Sequence, residues 1–178
     1  MIRVENKDVL FSTEKGKKDL LEYKKIINEY LSKHFAFDYV FELHYKNIPR
    51  RVFLQEYIES EDEKDGYLEY KVNCFNGRAV YMEYYKNNEC FVCDRNQKQL
   101  DFTYLPFEKM TNFTFPKNFD KMINFAEILS KDFKFVRIDF FEHNNELYFG
   151  EMTFTPYSGF MRFSPPEYDL EIGKLLKI

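Results

Sequence analysis

The stretch from Phe135 to Gly159, FVRIDFFEHNNELYFGEMTFTPYSG, constrains the fold of this chain more than any other. Two runs rich in Val, Ile, Phe and Tyr flank Asn144-Asn145, which is the composition of a β-hairpin. Each run carries one carboxylate among apolar neighbours, Asp139 on the first and Glu151 on the second. How the two relate depends on the turn. A two-residue turn at Asn144-Asn145 sets Asp139 opposite Gly150 and sends Glu151 to the other face. A three-residue loop, Asn144 to Glu146, sets Asp139 opposite Glu151 and Arg137 opposite Thr153. Like charges facing each other across strands destabilise a sheet unless a cation lies between them. Such an oxygen pair suits Mg²⁺, which is usually held by one or two carboxylates plus nucleotide phosphates. The solvent face of an ordinary antiparallel sheet carries the same residue types, so the pattern alone leaves both readings open.

The rest of the chain predicts an α+β fold, a mainly antiparallel sheet with flanking helices. Asp8 to Phe11 reads as a short strand. From Lys17 a helix is expected to run to His34, with Leu20, Leu21, Tyr23, Ile26, Ile27, Tyr30 and Leu31 forming one apolar stripe. Arg50 to Ile58 reads as a strand, followed by an acidic loop to Gly66. Tyr67 to Phe75, Arg78 to Tyr85 and Glu89 to Cys93 form a meander, because Asn76-Gly77 and Asn87-Asn88 supply turn residues between them. On its first strand Glu69, Lys71 and Asn73 share one face, which either faces water or meets phosphate. Asp94 to Pro116 is aromatic and aperiodic, the pattern of a loop that lies over a site as a lid or acceptor-binding segment. A helix follows from Phe119 to Lys131, with Met122, Phe125, Ala126 and Leu129 expected inward. The hairpin comes next, then a last helix from Asp169 to Leu176.

Composition narrows the function classes. A net charge of −4 with interspersed signs lacks the basic stripe of a nucleic-acid surface. No apolar run approaches the roughly 20 residues that a membrane-spanning helix needs, so the chain as given reads as cytoplasmic. Cys90-Phe-Val-Cys93 has zinc-like spacing, but no second pair of ligands accompanies it. Cys74, Cys90 and Cys93 therefore read as small apolar strand residues. The 21 Phe and 14 Tyr supply large rings for packing onto sheet faces.

Val136-Arg-Ile-Asp-Phe140, then Leu147-Tyr-Phe-Gly-Glu-Met-Thr-Phe-Thr-Pro156 and Gly159, resemble the end of an ATP-grasp domain. There an Arg-x-Asp strand precedes a Glu-x-Asn strand and a Pro-Gly loop. Within that superfamily the chain most resembles the TupA-like group of teichuronopeptide biosynthesis. The likeness takes in Glu42-Leu-His-Tyr45, Leu54-Gln-Glu-Tyr-Ile58, Tyr70-Lys-Val-Asn-Cys-Phe-Asn-Gly77, Leu129-Ser-Lys-Asp132 and Pro165-Pro-Glu-Tyr-Asp169. The resemblance implies that Asp139 and Glu151, with Thr153 at the third position, hold Mg²⁺ on the phosphates of ATP. It implies that Arg137 reaches a phosphate or acyl phosphate and that Lys71 points at the phosphates from a neighbouring sheet. Gln55, Glu56, Tyr57 and Ile58 would form the hinge against adenine, Glu69 would belong to the same nucleotide site, and the Pro156 to Gly159 loop would border the acceptor. Two departures accompany it. Thr153 stands where most of these enzymes have Asn, which bears on metal stoichiometry. The six glycines are scattered and form no Gly-rich phosphate loop, so the chain reads as a single ATP-grasp-like domain lacking its N-terminal portion. Residues 1–50 would be a remnant of the small lobe and 51–178 the C-terminal lobe.

On this resemblance the expected activity is that of an ATP- and Mg²⁺-dependent carboxylate ligase working through an acyl phosphate, in bacterial cell-surface polymer biosynthesis. The expected partners are a nucleotide and a carboxylate-bearing substrate, and a truncated lobe with an exposed cleft favours association. The alternative is an inactive ATP-grasp fragment reused for binding or assembly. A glycosidase ranks below both, because the carboxylates lie among aromatics but Trp, the usual sugar platform, is absent.

Overall fold

The computed structural model describes residues 20–33, 42–52 and 69–177. The chain divides into two compact units, Met1–Ile58 and Glu59–Ile178. In the first, helix α1 spans Leu20–Ser32. Ile26, Ile27, Tyr30 and Leu31 are half-buried, whereas Lys24, Lys25, Asn28 and Glu29 are exposed, as the apolar stripe requires. A short 3₁₀ turn covers Leu43–Tyr45, and Arg50 donates from Nη1 to the Leu31 carbonyl at 2.6 Å. Arg50, Arg51 and Val52 form no strand. The expected strand at Asp8 to Phe11 and the rest of that at Arg50 to Ile58 lie outside the described residues.

The second unit is built on a sheet of six strands: β1 (Glu69–Phe75), β2 (Arg78–Lys86), β3 (Glu89–Asp94), β5 (Glu108–Lys109), β6 (Phe135–His143) and β7 (Glu146–Thr153). Their order is β5-β3-β2-β1-β6-β7, antiparallel except for the short β3–β5 pair. The turns form where the chain can take left-handed backbone: Asn76 and Gly77 (φ 50° and 76°), Asn87 (φ 54°), and Asn144 and Asn145 (φ 51° and 62°). The fold is the expected α+β class.

Each face of the sheet carries its own core. On one, Tyr70, Val72, Met82, Tyr84, Phe91, Ile138 and Phe140 pack against helix α2 (Phe119–Ser130). The helix turns Phe119, Met122, Ile123, Ala126 and Ser130 inward and leaves Phe125 and Leu129 exposed. The expected stripe is thus rotated by about one residue, because Phe119 and Ile123 continue the 3–4 spacing that fixes the buried face. On the opposite face, Phe75, Tyr81, Cys90, Val92, Phe102 and Tyr104 form a second, aromatic cluster. Phe102 meets Tyr81 edge-on at 5.5 Å and lies 4.9 Å from Tyr168 of helix α3 (Glu167–Gly173). The segment Asp94 to Pro116 is therefore no free lid. Its β4 (Thr103–Leu105) pairs with β8 (Arg162–Ser164), and Phe102, Thr103, Tyr104 and Met110 are buried.

All three cysteines are free and buried. Cys90 and Cys93, three apart on β3, point to opposite faces and join different cores, so they cannot share a metal ion. Burial pushes the Cys74 thiol up to about 11 and those of Cys90 and Cys93 to about 12.

The hairpin combines features of both sequence-based alternatives. Its turn has two residues, with His143 opposite Glu146, yet Asp139 faces Glu151 and Arg137 faces Thr153. The register shifts by one between Asp139 and Phe140, which leaves Gly150 as the extra residue of a bulge. A Cβ at Gly150 would lie 2.7 Å from Phe141 Cε2 and 2.9 Å from the Asp139 carbonyl oxygen, so the bulge needs glycine. Gly150→Ala is expected to lower stability by about 1–3 kcal/mol, the range for forced overpacking, measured by urea unfolding. An unchanged midpoint would contradict the close approach.

Candidate functional site

The register of four adjacent strands lines up a charged row on the face that carries the aromatic cluster. Glu83 of β2 faces Lys71 of β1, Lys71 faces Asp139 of β6, and Asp139 faces Glu151 of β7. A neighbouring row runs Tyr81, Asn73, Arg137, Thr153. Alternation puts these side chains together: Tyr70, Val72, Cys74 and Ile138 point to the α2 core, so the residues between them point here. Lys71 thus approaches Asp139 from the next strand of the same sheet, not from a neighbouring sheet.

Asp139 is the hub. It is fully buried, and Arg137 grips it with two bonds, Nε to Oδ1 and Nη2 to Oδ2, each 2.7 Å. Lys71 Nζ adds a third bond, to Oδ2 at 2.9 Å, and also pairs with Glu69. Arg137 Nη2 further reaches Thr153 Oγ1 at 3.2 Å and Glu151 Oε1 at 3.4 Å, and Thr153 donates to that same Glu151 oxygen at 3.0 Å. On the far side, the buried Glu83 accepts from Asn73 Nδ2 at 2.5 Å and from the Tyr85 hydroxyl. The Tyr157 ring lies over Arg137, 5.9 Å from ring centre to Cζ.

Charges held out of water explain the electrostatics. Burial disfavours the Lys71 ammonium, but Asp139 and Glu69 outweigh it and hold its pKa above the ordinary value. Burial likewise opposes the Arg137 charge, and its bonds to Asp139 overcome this. Glu83 goes the other way. Burial raises its pKa, because its hydrogen bonds and the field of Arg137 and Lys71 only partly offset desolvation. Two cations therefore face four carboxylates, an excess of two negative charges (2 − 4), or one when Glu83 is protonated. Such an excess favours a further cation.

Arg137, Asp139, Glu151, Thr153, Lys71 and Glu69, picked from the sequence, all meet here. Gln55, Glu56, Tyr57 and Ile58 lie outside the described residues. Asn73 also lies here, on the face it shares with Glu69 and Lys71, and Tyr157 of the Pro156 to Gly159 loop covers Arg137; Glu83 and Tyr85 belong to the site but do not stand out in the sequence. The period-two alternation of Tyr81, Glu83 and Tyr85 is the signal that places Glu83 on this face. Among the described residues, no group of three or more His, Cys, Asp or Glu side chains is placed to hold a metal ion. No helix among them is long and apolar enough to cross a membrane.

A mostly antiparallel sheet with flanking helices, carrying an Arg-x-Asp strand beside a Glu-x-Thr strand, is consistent with an ATP-grasp-type fold. A family model for TupA-like ATP-grasp proteins matches residues 7–177, and the chain belongs to that family. Family membership gives it an ATP-grasp, ligase-like role, in a family that generally binds ATP and Mg²⁺ and acts on carboxylates. Neither a curated protein nor a solved structure matches the chain.

Two outcomes are expected from the buried charges. Arg137→Met leaves Asp139 buried with Lys71 alone, and should cost about 3 kcal/mol in urea unfolding, the scale of a broken buried pair. No loss would mean that Asp139 is not desolvated as the geometry requires. The second concerns pH. Because the folded protein holds a proton on Glu83 more tightly than the unfolded chain, stability from this group falls as pH rises from 4.5 toward the raised value. Glu83→Gln removes that dependence, so the variant gains on wild type as pH rises through this window. A constant difference across the window would show that Glu83 is not shifted.

Proposed function

We propose that this chain is an ATP- and Mg²⁺-dependent carboxylate ligase, or the part of one that carries the metal carboxylates. The observation that carries the reading is the bulge at Gly150, which sets Asp139 against Glu151 with Lys71 and Arg137 beside them. Hard carboxylate oxygens on adjacent strands suit Mg²⁺, with nucleotide phosphates completing the shell. Asp139 and Glu151 would hold the ion and Thr153 would border it; when bound, it neutralises charge on the β- and γ-phosphates. Asp139 accepts three bonds, two of them at Oδ2, so Oδ1, which among the described residues accepts only from Arg137 Nε, keeps a lone pair for an ion.

In this reading Lys71 and Arg137 are fixed cations for the phosphates, and Glu69 orients Lys71. The substrate carboxylate attacks the γ-phosphorus and breaks its bond to the bridging oxygen, giving an acyl phosphate and ADP. An amine or similar nucleophile then attacks the acyl carbon, and inorganic phosphate leaves. The positioned charges suffice for this, since no side-chain nucleophile is needed. Gln55, Glu56, Tyr57 and Ile58 remain assigned to adenine on the family resemblance. The same resemblance supports cytoplasmic work on bacterial cell-surface polymers. A second reading, a catalytically silent binding domain, is favoured by one observation: Arg137 and Lys71 already satisfy Asp139.

Calorimetric titration with a non-hydrolysable ATP analogue, with and without Mg²⁺, separates the two. The ligase reading expects Mg²⁺-dependent binding, weakened about tenfold or more by Asp139→Asn, the factor that 1.4 kcal/mol gives. Binding indifferent to Mg²⁺ and to Asp139→Asn, or no binding, would favour the silent domain.

A further inference from the structure

The Pro156–Gly159 turn is built at a conformational cost that its packing does not explain. Tyr157 (φ 51°, ψ 33°) and Ser158 (φ 54°, ψ 25°) are both left-handed, followed by Gly159 (φ 76°). Asn and Asp apart, two successive side-chain-bearing residues rarely adopt this region, and such strain tends to gather at functional sites. The turn closes with Ser158 N–H to the Thr155 carbonyl and Phe160 N–H to the Tyr157 carbonyl, each 3.0 Å. Tyr157 stays 47% exposed, so burial of its ring is not what the turn achieves. What it achieves is orientation. One ring face is laid over Arg137, 5.9 Å from ring centre to Cζ.

Arg137 is held at its edges by Asp139, Glu151 and Thr153, all on the sheet. Edge bonds fix the guanidinium within its plane, and a ring on its face opposes tilting out of it. We infer that Tyr157 is a positioning residue for Arg137, its ring fixing the guanidinium plane and the left-handed turn holding the ring in place. The inference rests on the ligase reading to the extent that Arg137 is taken to serve the nucleotide.

The test uses the full chain and two variants. Tyr157→Phe keeps the ring and removes the hydroxyl; Tyr157→Leu removes the ring. The Arg137 Nε–H signal in ¹⁵N NMR, identified by its loss in Arg137→Lys, reports the clamp without any nucleotide. Its exchange with water should quicken about tenfold in Tyr157→Leu and stay within about twofold in Tyr157→Phe. Titration with the ATP analogue and Mg²⁺ should follow the same order, with Tyr157→Leu adding little to Arg137→Lys. Equal exchange in wild type and a folded Tyr157→Leu overturns the inference, as does equal quickening in both variants. If wild type binds no analogue, the ligase reading fails, while the exchange rates still decide the role of Tyr157.

Discussion

Everything in the site leans on one desolvated carboxylate. Asp139 sits at 0% exposure in the middle strands of the sheet, where a lone negative charge could not persist. Two cations from two strands make it tolerable, Arg137 through a bidentate grip and Lys71 through a single short bond. Those cations are buried too, and their remaining donors recruit Glu69, Glu151 and Thr153. The row of charges is thus one coupled unit, whose members share partners across β1, β6 and β7.

This unit also explains why the sheet is asymmetric. The face toward α2 is apolar and closed, with Val72, Met82, Val136 and Ile138 at full burial. The opposite face must combine an aromatic cluster with six charged side chains, and it does so by segregation. Phe75, Tyr81, Val92, Phe102 and Tyr104 gather around one part of the sheet, and the charges run across β2, β1, β6 and β7 beside them. Tyrosines join the two parts: Tyr81 bonds to Tyr104, and Tyr85 to Glu83, each with its ring in apolar surroundings and its hydroxyl on a polar partner.

Most of the fold was legible because strand alternation and turn chemistry agree. Asn76-Gly77 and Asn144-Asn145 mark turns that the chain does make, and β1 to β3 begin and end within a few residues of the expected positions. The pairing of Asp139 with Glu151 was legible only as one of two registers, since a bulge at a single glycine changes the register without changing the turn. Short strands were missed for a related reason. Thr103–Leu105 and Arg162–Ser164 are three residues each and take their stability from a partner far along the chain, which no local period reveals. Glu83 was overlooked because a carboxylate in an aromatic strand reads as a solvent-facing residue until the strand order buries it. The α2 stripe is expected to turn Met122, Phe125, Ala126 and Leu129 inward, whereas the buried face keeps Met122 and Ala126 and adds Phe119, Ile123 and Ser130.

A crystal structure of the chain grown with Mn²⁺ and a non-hydrolysable ATP analogue would test the central claim most directly, because anomalous scattering locates the metal itself. The account predicts manganese bound by Asp139 and Glu151. Manganese bound elsewhere, with the Arg137 grip on Asp139 intact, would contradict it.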